Sequence, residues 1–171
     1  MTYAKVLFGV VTGSALLLAS DLPRASAQGL SFPGVCRITS VHNGKPLEVF
    51  NGKVTACACF GNGEWILVRA PGTLDCFTIT SARYGRSVDV ALFPAPKIGE
   101  PVQLFDSHGG KNQVWRLVPK GDAFVFQSVY NPTKVLDLPL PYKASNQPAN
   151  QVQIFPANGG ANQLWRISRI R

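Results

Sequence analysis

The chain has 171 residues, of which 17 are lysine or arginine and 9 are aspartate or glutamate, so its formal net charge is +8. The basic residues are scattered and do not alternate with aromatic residues, so the charge does not indicate a nucleic-acid groove. It indicates a solvated basic surface that favours acidic glycans or cell surfaces as partners.

The N-terminus has the three parts of a secretory signal peptide. Lys5 supplies a positive charge, residues 6–19 form a mainly apolar run, and residues 25–27 read Ala-Ser-Ala before a cleavage point. Because the run is shorter than the roughly 20 residues that span a bilayer, a signal peptide is favoured over a membrane anchor. We therefore predict a secreted, extracellular protein formed by residues 28–171, without membrane insertion and with 15 basic and 8 acidic residues.

All four cysteines lie early in this predicted mature chain, at Cys36, Cys57, Cys59 and Cys76. In a secreted protein an even count predicts disulfides, here two, with three possible pairings. On a strand, residues two apart have Cβ atoms farther apart than the ~3.8 Å of a disulfide. We therefore expect Cys36 and Cys76 each to bond one of the Cys57–Cys59 pair. A metal site is the weaker alternative, because Cys-x-Cys lacks a second ligand pair and neither histidine lies near it in sequence.

The sequence repeats a unit of 40 to 50 residues, and its three tryptophans mark the period. Each unit has a short apolar strand, a serine, a turn rich in Gly, Asn or Pro, and then an acid between apolar residues. A polar loop and a further strand follow, and the tryptophan comes near the end. A period of this length predicts a repeat architecture. The three predicted repeats are residues 36–75, 76–122 and 123–171.

Within each repeat the strands are short and alternate with period two, and no helical stripe is sustained. Sixteen glycines and thirteen prolines suit such a fold of strands and turns. Three repeats of about four strands each predict an all-β closed barrel with pseudo-threefold symmetry, which leaves no sheet edge exposed. A propeller would normally need more blades, and a solenoid would need terminal caps.

Two of the repeats carry a resemblance to a known family. The second contains SVDV, PVQLF and GGKNQVW, and the third contains VLDL, QVQIF and GGANQLW. These motifs resemble those of the ricin-B-type (R-type) lectin domain, a β-trefoil whose three subdomains each end in Gln-x-Trp. The resemblance covers nearly all of residues 28–171, and it implies a single β-trefoil lectin-like domain that binds galactose-type sugars.

Alternation along the strands indicates which side chains could reach a ligand. Val88 and Val90 share one face, so Asp89 points to the other, and the same parity places Gln103 and Phe105 together. A carboxylate accepts strong hydrogen bonds from sugar hydroxyls, and an amide and an aromatic face supply the remaining contacts.

The resemblance assigns sugar-binding roles to both of these repeats. It implies that the acid and the asparagine hold sugar hydroxyls while the aromatic ring stacks on the sugar. The predicted carbohydrate-binding residues are Asp89, Gln103, Phe105 and Asn112, and Asp137, Gln153, Phe155 and Asn162. Gln113 and Gln163 are expected to brace the acid. Phenylalanine stands where the family most often has Trp or Tyr, so any hydrogen bond from that ring is lost.

The first repeat departs from this pattern. Glu48 replaces the aspartate, Thr55 and Cys57 stand where glutamine and the aromatic belong, and Asn-Gly-Glu-Trp replaces the Gln-x-Trp motif. We predict a structural repeat held by the cysteines, without a sugar site. Because Trp65 persists where the ligand residues are missing, we assign all three tryptophans (Trp65, Trp115 and Trp165) to the core.

Catalytic motifs are missing from the sequence. It has no G-x-S-x-G, no H-E-x-x-H and no Gly-rich phosphate loop. Asp106, Ser107 and His108 are adjacent, but consecutive residues rarely orient as a catalytic triad. We therefore predict a protein that is not an enzyme and needs neither a cofactor nor a metal.

The leading interpretation is a secreted lectin with two galactose-type sites. The alternative is a trefoil that binds a protein partner through its loops, such as a secreted protease inhibitor, since a fold alone does not fix a function. Residues 139–151 are the candidate surface for that alternative.

Overall fold

The computed structural model describes residues 32, 34–92, 99–140 and 151–170. The predicted signal peptide and most of the candidate loop at 139–151 lie outside these residues. Twelve strands and two short 3-10 turns (Lys111–Gln113 and Ala161–Gln163) make up the regular structure of the described part, so the predicted all-β fold is confirmed. The strands are β1 Val35–Ser40, β2 Leu47–Phe50, β3 Lys53–Ala56, β4 Trp65–Arg69, β5 Cys76–Ser81, β6 Ser87–Val90, β7 Glu100–Phe105, β8 Val114–Lys120, β9 Ala123–Ser128, β10 Lys134–Asp137, β11 Gln153–Pro156 and β12 Trp165–Arg169.

Six strands close into a barrel, with two strands from each repeat. The antiparallel pairs run β1–β4, β4–β5, β5–β8, β8–β9, β9–β12 and β12–β1, which returns to the starting strand. A closed ring of pairs leaves none of these strands as an exposed edge. The repeats therefore depend on one another, because each barrel strand completes its hydrogen bonding with a neighbour.

The other six strands form three hairpins, β2–β3, β6–β7 and β10–β11, which meet at one end of the barrel. Strand β7 pairs with both β3 and β11, and Thr55 forms a bridge with Gln151 between the remaining two hairpins. Backbone hydrogen bonds link Val102 N to Val152 O at 3.0 Å and Val152 N to Val54 O at 2.9 Å. These three valines are fully buried, so the hairpins form a triangular cap around an apolar centre.

The three tryptophans lie in the core and are 0% exposed. Each indole Nε1–H donates to a backbone carbonyl directly before the acid of its own repeat. The acceptors are Leu47 O at 2.9 Å, Val88 O at 3.2 Å and Leu136 O at 3.1 Å. Each tryptophan thus fastens the last part of a repeat to its acid-bearing strand, and burial of the ring contributes several kcal/mol, about 4–6 as an upper estimate.

The cysteines are free thiols in this structure, so the two predicted disulfides are not confirmed. Cys36 lies on β1 opposite Trp65, whereas Cys76 begins β5 opposite Arg116. Cys57 follows β3, and its thiol donates to the Glu48 carboxylate at 3.3 Å. Burial raises the pKa of the Cys36 thiol to about 11.

Candidate carbohydrate-binding site

In the second repeat, three elements bring the predicted sugar-binding residues together. Strands β6 and β7 pair so that Asp89 lies directly opposite Gln103, and Phe105 follows two residues later on the same face. The 3-10 turn before Trp115 adds Asn112 and Gln113 from the other side. The tight turn and the short hairpin together place side chains from distant parts of the repeat around one carboxylate.

That carboxylate accepts hydrogen bonds from all three amides. Gln103 Nε2 donates to Asp89 Oδ1 at 3.2 Å, while Asn112 Nδ2 and Gln113 Nε2 donate to Oδ2 at 2.7 and 3.1 Å. Asp89 is 2% exposed, so these donors replace water around a buried charge. Because Oδ1 has one protein donor and an oxygen can accept two, it retains capacity for a ligand hydroxyl.

Gln113 also holds the loop that precedes it. Its Oε1 accepts the backbone N–H of His108 at 2.9 Å and of Gly109 at 3.1 Å, and its Nε2 donates to Asp106 O at 2.8 Å. The side chain is 0% exposed. It therefore braces Asp89 and fixes the loop beside it without reaching a ligand.

A cavity of about 240 Å³ opens above this network. Phe105 forms one wall and is 48% exposed, so its ring is free to stack on a sugar. The cavity is lined by Asp89, Leu92, Gln103, Phe105, His108 and Asn112. All four residues predicted from the sequence for this repeat thus share one cavity.

His108 and Leu92 line the same cavity but were not assigned to it from the sequence. The His108 ring stands edge-on to Phe105, with centroids 6.1 Å apart, and its Nε2 lies 3.6 Å from Asp89 Oδ2. The signal for His108 was its position in the loop between Phe105 and Asn112. For Leu92, which follows β6 and is 59% exposed, the strand pattern gave no signal.

The third repeat reproduces the network at nearly the same distances. Gln153 Nε2 donates to Asp137 Oδ1 at 2.9 Å, and Asn162 Nδ2 and Gln163 Nε2 donate to Oδ2 at 2.8 and 3.0 Å. Two differences make this site less open. Phe155 is half-buried, and Asn162 is 7% exposed.

Comparison with known proteins agrees with this duplicated geometry. Residues 61–140 match the family described as "Ricin-type beta-trefoil lectin domain-like". This part of the chain is therefore similar to ricin-type β-trefoil lectin domains. The match spans the whole second repeat, where the more open site lies. No curated protein sequence matches the chain.

Solved structures share the fold of this chain. The designed threefold-symmetric protein ThreeFoil is 27% identical over 80% of this chain and 99% of its own, with a TM-score of 0.69. A ricin B-like lectin from Macrolepiota procera, solved in complex with lactose, is 19% identical over 83% and 99%, with a TM-score of 0.66. An exo-β-1,3-galactanase from Clostridium thermocellum is 22% identical over 83% of this chain but only 31% of its own, with a TM-score of 0.66. These likenesses confirm the predicted β-trefoil.

In the first repeat, backbone groups of the protein occupy the position that corresponds to the sugar site. The Glu48 carboxylate accepts the N–H groups of Cys59, Phe60 and Gly61 at 2.9 to 3.1 Å, in addition to the Cys57 thiol. Glu48 is 3% exposed. Because the segment after β3 folds onto the longer acid, four donors from the protein occupy the carboxylate, and the equivalent of a sugar site is closed.

The adjacent residues Asp106, Ser107 and His108 have different partners in the structure. Asp106 pairs with Arg86 at 2.8 Å, Ser107 Oγ bonds Ser87 Oγ at 2.7 Å, and His108 faces Asp89. The three side chains do not form a relay. Among the described residues, no group of three His, Cys, Asp or Glu side chains is placed to hold a metal ion. In the same part of the chain, no helix has the length and apolar character to cross a membrane.

Proposed function

We propose that this protein is a secreted, non-enzymatic lectin that binds galactose-type sugars at the sites around Asp89 and Asp137. The observation that carries the proposal is the duplicated network in which three amides orient one buried carboxylate beside an aromatic ring. Two repeats that differ at many other positions keep the same arrangement.

The chemistry of the network suits a sugar better than a charged ligand. An oriented carboxylate can accept a hydrogen bond from a hydroxyl, and its charge strengthens that bond roughly twofold over a neutral one. Asn112 and Gln103 line the cavity and offer amide groups, and Phe105 offers an apolar face to the C–H side of a pyranose ring. Galactose specificity is supported by the resemblance and by the lactose bound to the related Macrolepiota procera lectin.

The two sites differ in openness, so we expect them to differ in affinity for a sugar. Phe105 is 48% exposed, whereas Phe155 is less exposed, so we expect the second repeat to bind more tightly than the third. A single shallow site with an affinity near millimolar contributes only about −4 kcal/mol. Two such sites on one rigid domain raise the apparent affinity for a glycan-covered surface by roughly 10²-fold where the spacing fits.

A glycan array tests the proposal with four proteins: wild type, Asp89→Asn, Asp137→Asn and the double variant. Wild type is expected to bind galactose-terminated glycans, each single variant to bind more weakly, and the double variant to lose binding. Asp122→Asn is the matched control, because Asp122 is an exposed acid that pairs with Arg166 on the surface. Tryptophan fluorescence checks that each variant is folded. The proposal fails if wild type binds no glycan or if the folded double variant binds as well as Asp122→Asn.

Binding to a protein partner, such as a protease, is the competing function. It predicts inhibition that survives the double variant and is lost when residues 139–151 are replaced. The network around Asp89 favours the sugar, because a buried and braced carboxylate is not needed to present a loop to a protease.

A further inference from the structure

A second cavity, of about 480 Å³, lies between the first and second repeats. None of its lining residues is among those predicted to bind sugar. They are Val49, Asn51, Gly52, Tyr84, Arg86 and Leu104. This volume is in the range of small-molecule sites, roughly 300–1,000 Å³. We call it the inter-repeat cleft.

The short hairpin of the first repeat forms one wall of the cleft. Asn51 and Gly52 connect β2 to β3 with φ values of 47° and 73°, the positive values that a two-residue hairpin turn requires. Leu104 N donates to Gly52 O at 2.8 Å, which fixes the tip of the hairpin on β7. The equivalent connection in the second repeat spans residues 91–99, so the connection in the first repeat is shorter and its hairpin ends at the edge of the cleft.

Tyr84 stands on the opposite wall and is 45% exposed. The buried Asn62 donates to its hydroxyl at 3.4 Å and, at the same time, exchanges two 2.9 Å hydrogen bonds with the backbone of Val49. Asn62 precedes its tryptophan by three residues, as Asn112 and Asn162 do. In those repeats the asparagine bonds the acid, whereas in the first repeat it bonds the tyrosine of the cleft.

The charge around the cleft is positive. Arg86 Nε pairs with Asp106, which uses one of the five N–H donors of the guanidinium. Arg83 lies 5.7 Å from the centroid of the Tyr84 ring, and the exposed Lys53 follows the hairpin turn. Arg86 thus lines the cleft, Arg83 lies beside the lining residue Tyr84, and Lys53 follows the lining residue Gly52 in sequence. Val49 and Leu104 add apolar side chains to the lining.

We propose that the inter-repeat cleft binds an anionic saccharide unit, whose carboxylate or sulfate ester pairs with Arg86 while its ring lies on Tyr84. An exposed aromatic ring in a partly apolar lining suits the C–H face of a pyranose, and Asn51 supplies an amide for its hydroxyls. A guanidinium forms planar two-point contacts with carboxylate and sulfate groups that a neutral sugar cannot replace. The cleft and the Asp89 and Asp137 sites have no residue in common, so this proposal does not depend on those sites.

The experiment uses ¹⁵N-labelled protein carrying Asp89→Asn and Asp137→Asn, so that the galactose-type sites are disabled. Digalacturonate, lactose sulfated on its galactose O6, and unmodified lactose are titrated in separate samples, up to about 10 mM because a shallow site binds near millimolar. The Gly52 amide resonance reports on the cleft directly. Digalacturonate or sulfated lactose is expected to shift the Gly52 resonance, and unmodified lactose is expected to leave it unchanged. The anionic probe that binds more tightly identifies whether a carboxylate or a sulfate is preferred.

Arg86→Gln in the same background is expected to weaken the anionic probe at least about tenfold, since hydrogen bonds to charged groups contribute roughly 1.5–3 kcal/mol. Arg166→Gln is the matched control, because Arg166 is an equally exposed arginine whose Nε pairs with Asp122 at 2.8 Å, outside the cleft. Tyr84→Ala is expected to weaken both anionic probes as well. The proposal is overturned if neither anionic probe shifts Gly52, if lactose shifts it equally, or if Arg86→Gln binds as tightly as Arg166→Gln.

Discussion

Gln113→Leu tests the idea that a buried amide, rather than a ligand-facing residue, holds the site of the second repeat. Leucine has nearly the same volume but neither donates nor accepts hydrogen bonds. The change removes the partners of two backbone N–H groups, the Asp106 carbonyl and the Asp89 carboxylate. The buried carboxylate is the most costly of these, because it loses one of the three amide donors that replace water around its charge.

The size of the destabilisation depends on how exposed to water each lost hydrogen bond is. Losing a hydrogen bond to a charged, buried group costs about 1.5–3 kcal/mol, and each of the three partly exposed backbone bonds costs about 0.5–1 kcal/mol. We therefore expect Gln113→Leu to lower the free energy of unfolding by about 3–6 kcal/mol, against a total stability of about 5–15 kcal/mol for a domain. The second-repeat site is expected to lose its sugar affinity together with this stability.

Urea unfolding followed by tryptophan fluorescence measures the change. Gln127→Leu is the control, because the amide of Gln127 makes one exposed hydrogen bond, to Pro132 O, and its loss should cost under about 1 kcal/mol. If Gln113→Leu is as stable as Gln127→Leu, the bracing role is wrong. If it is destabilised but binds sugar at the second repeat with unchanged affinity, the network is structural only.

Three further outcomes follow from burial. Trp65→Phe is expected to lower the unfolding free energy by about 2–3 kcal/mol in a urea titration, because it removes a hydrogen bond and leaves a cavity. Glycan binding by the folded protein should not change, and a selective loss of binding would contradict the core role of Trp65. Phe105→Ala is expected to weaken galactose binding in calorimetry at little cost in stability, whereas Phe155→Ala is expected to cost more stability, because Phe155 is less exposed. A larger loss of stability for Phe105→Ala than for Phe155→Ala would contradict this difference in exposure. In reduced protein near neutral pH, iodoacetamide is expected to modify the exposed Cys59 first and the buried Cys36 and Cys57 last, because only the thiolate reacts and burial raises the pKa of Cys36 to about 11 and that of Cys57 to about 12. The rates at these two thiols should rise only as the pH approaches those values, and mass spectrometry after timed quenching would expose early labelling.

The repeat pattern predicted the fold because the features that define it, alternating apolar residues and a recurring tryptophan position, lie within each single repeat. Apolar residues alternate along strands and tryptophan persists in all three repeats, so the barrel could be inferred without knowing which strands pair. The same alternation placed Gln103 and Phe105 on one face, as the structure does. It could not indicate that Asp89 would be buried and surrounded by amides, because that depends on the 3-10 turn folding back onto β6.

The first repeat shows what sequence alone could not supply. Replacing Asp with Glu predicted a lost site, but not that the extra methylene would let the carboxylate reach three consecutive backbone N–H groups. The inter-repeat cleft was missed for a related reason. Tyr84 and Asn51 belong to different repeats, and equivalent positions within the repeats carry no information about contacts across the boundary between them.

The pairing of β1 with β12 has a consequence for how the molecule is made. Cys36 lies opposite Arg169, and Ile170 N donates to Val35 O, so the barrel joins residues from opposite ends of the described chain. Such long-range pairing must overcome the entropy of closing a long loop before it gains any contact. During synthesis, β1 therefore has no permanent partner on one side until β12 has emerged, and the barrel can close only after nearly all of the described chain is available.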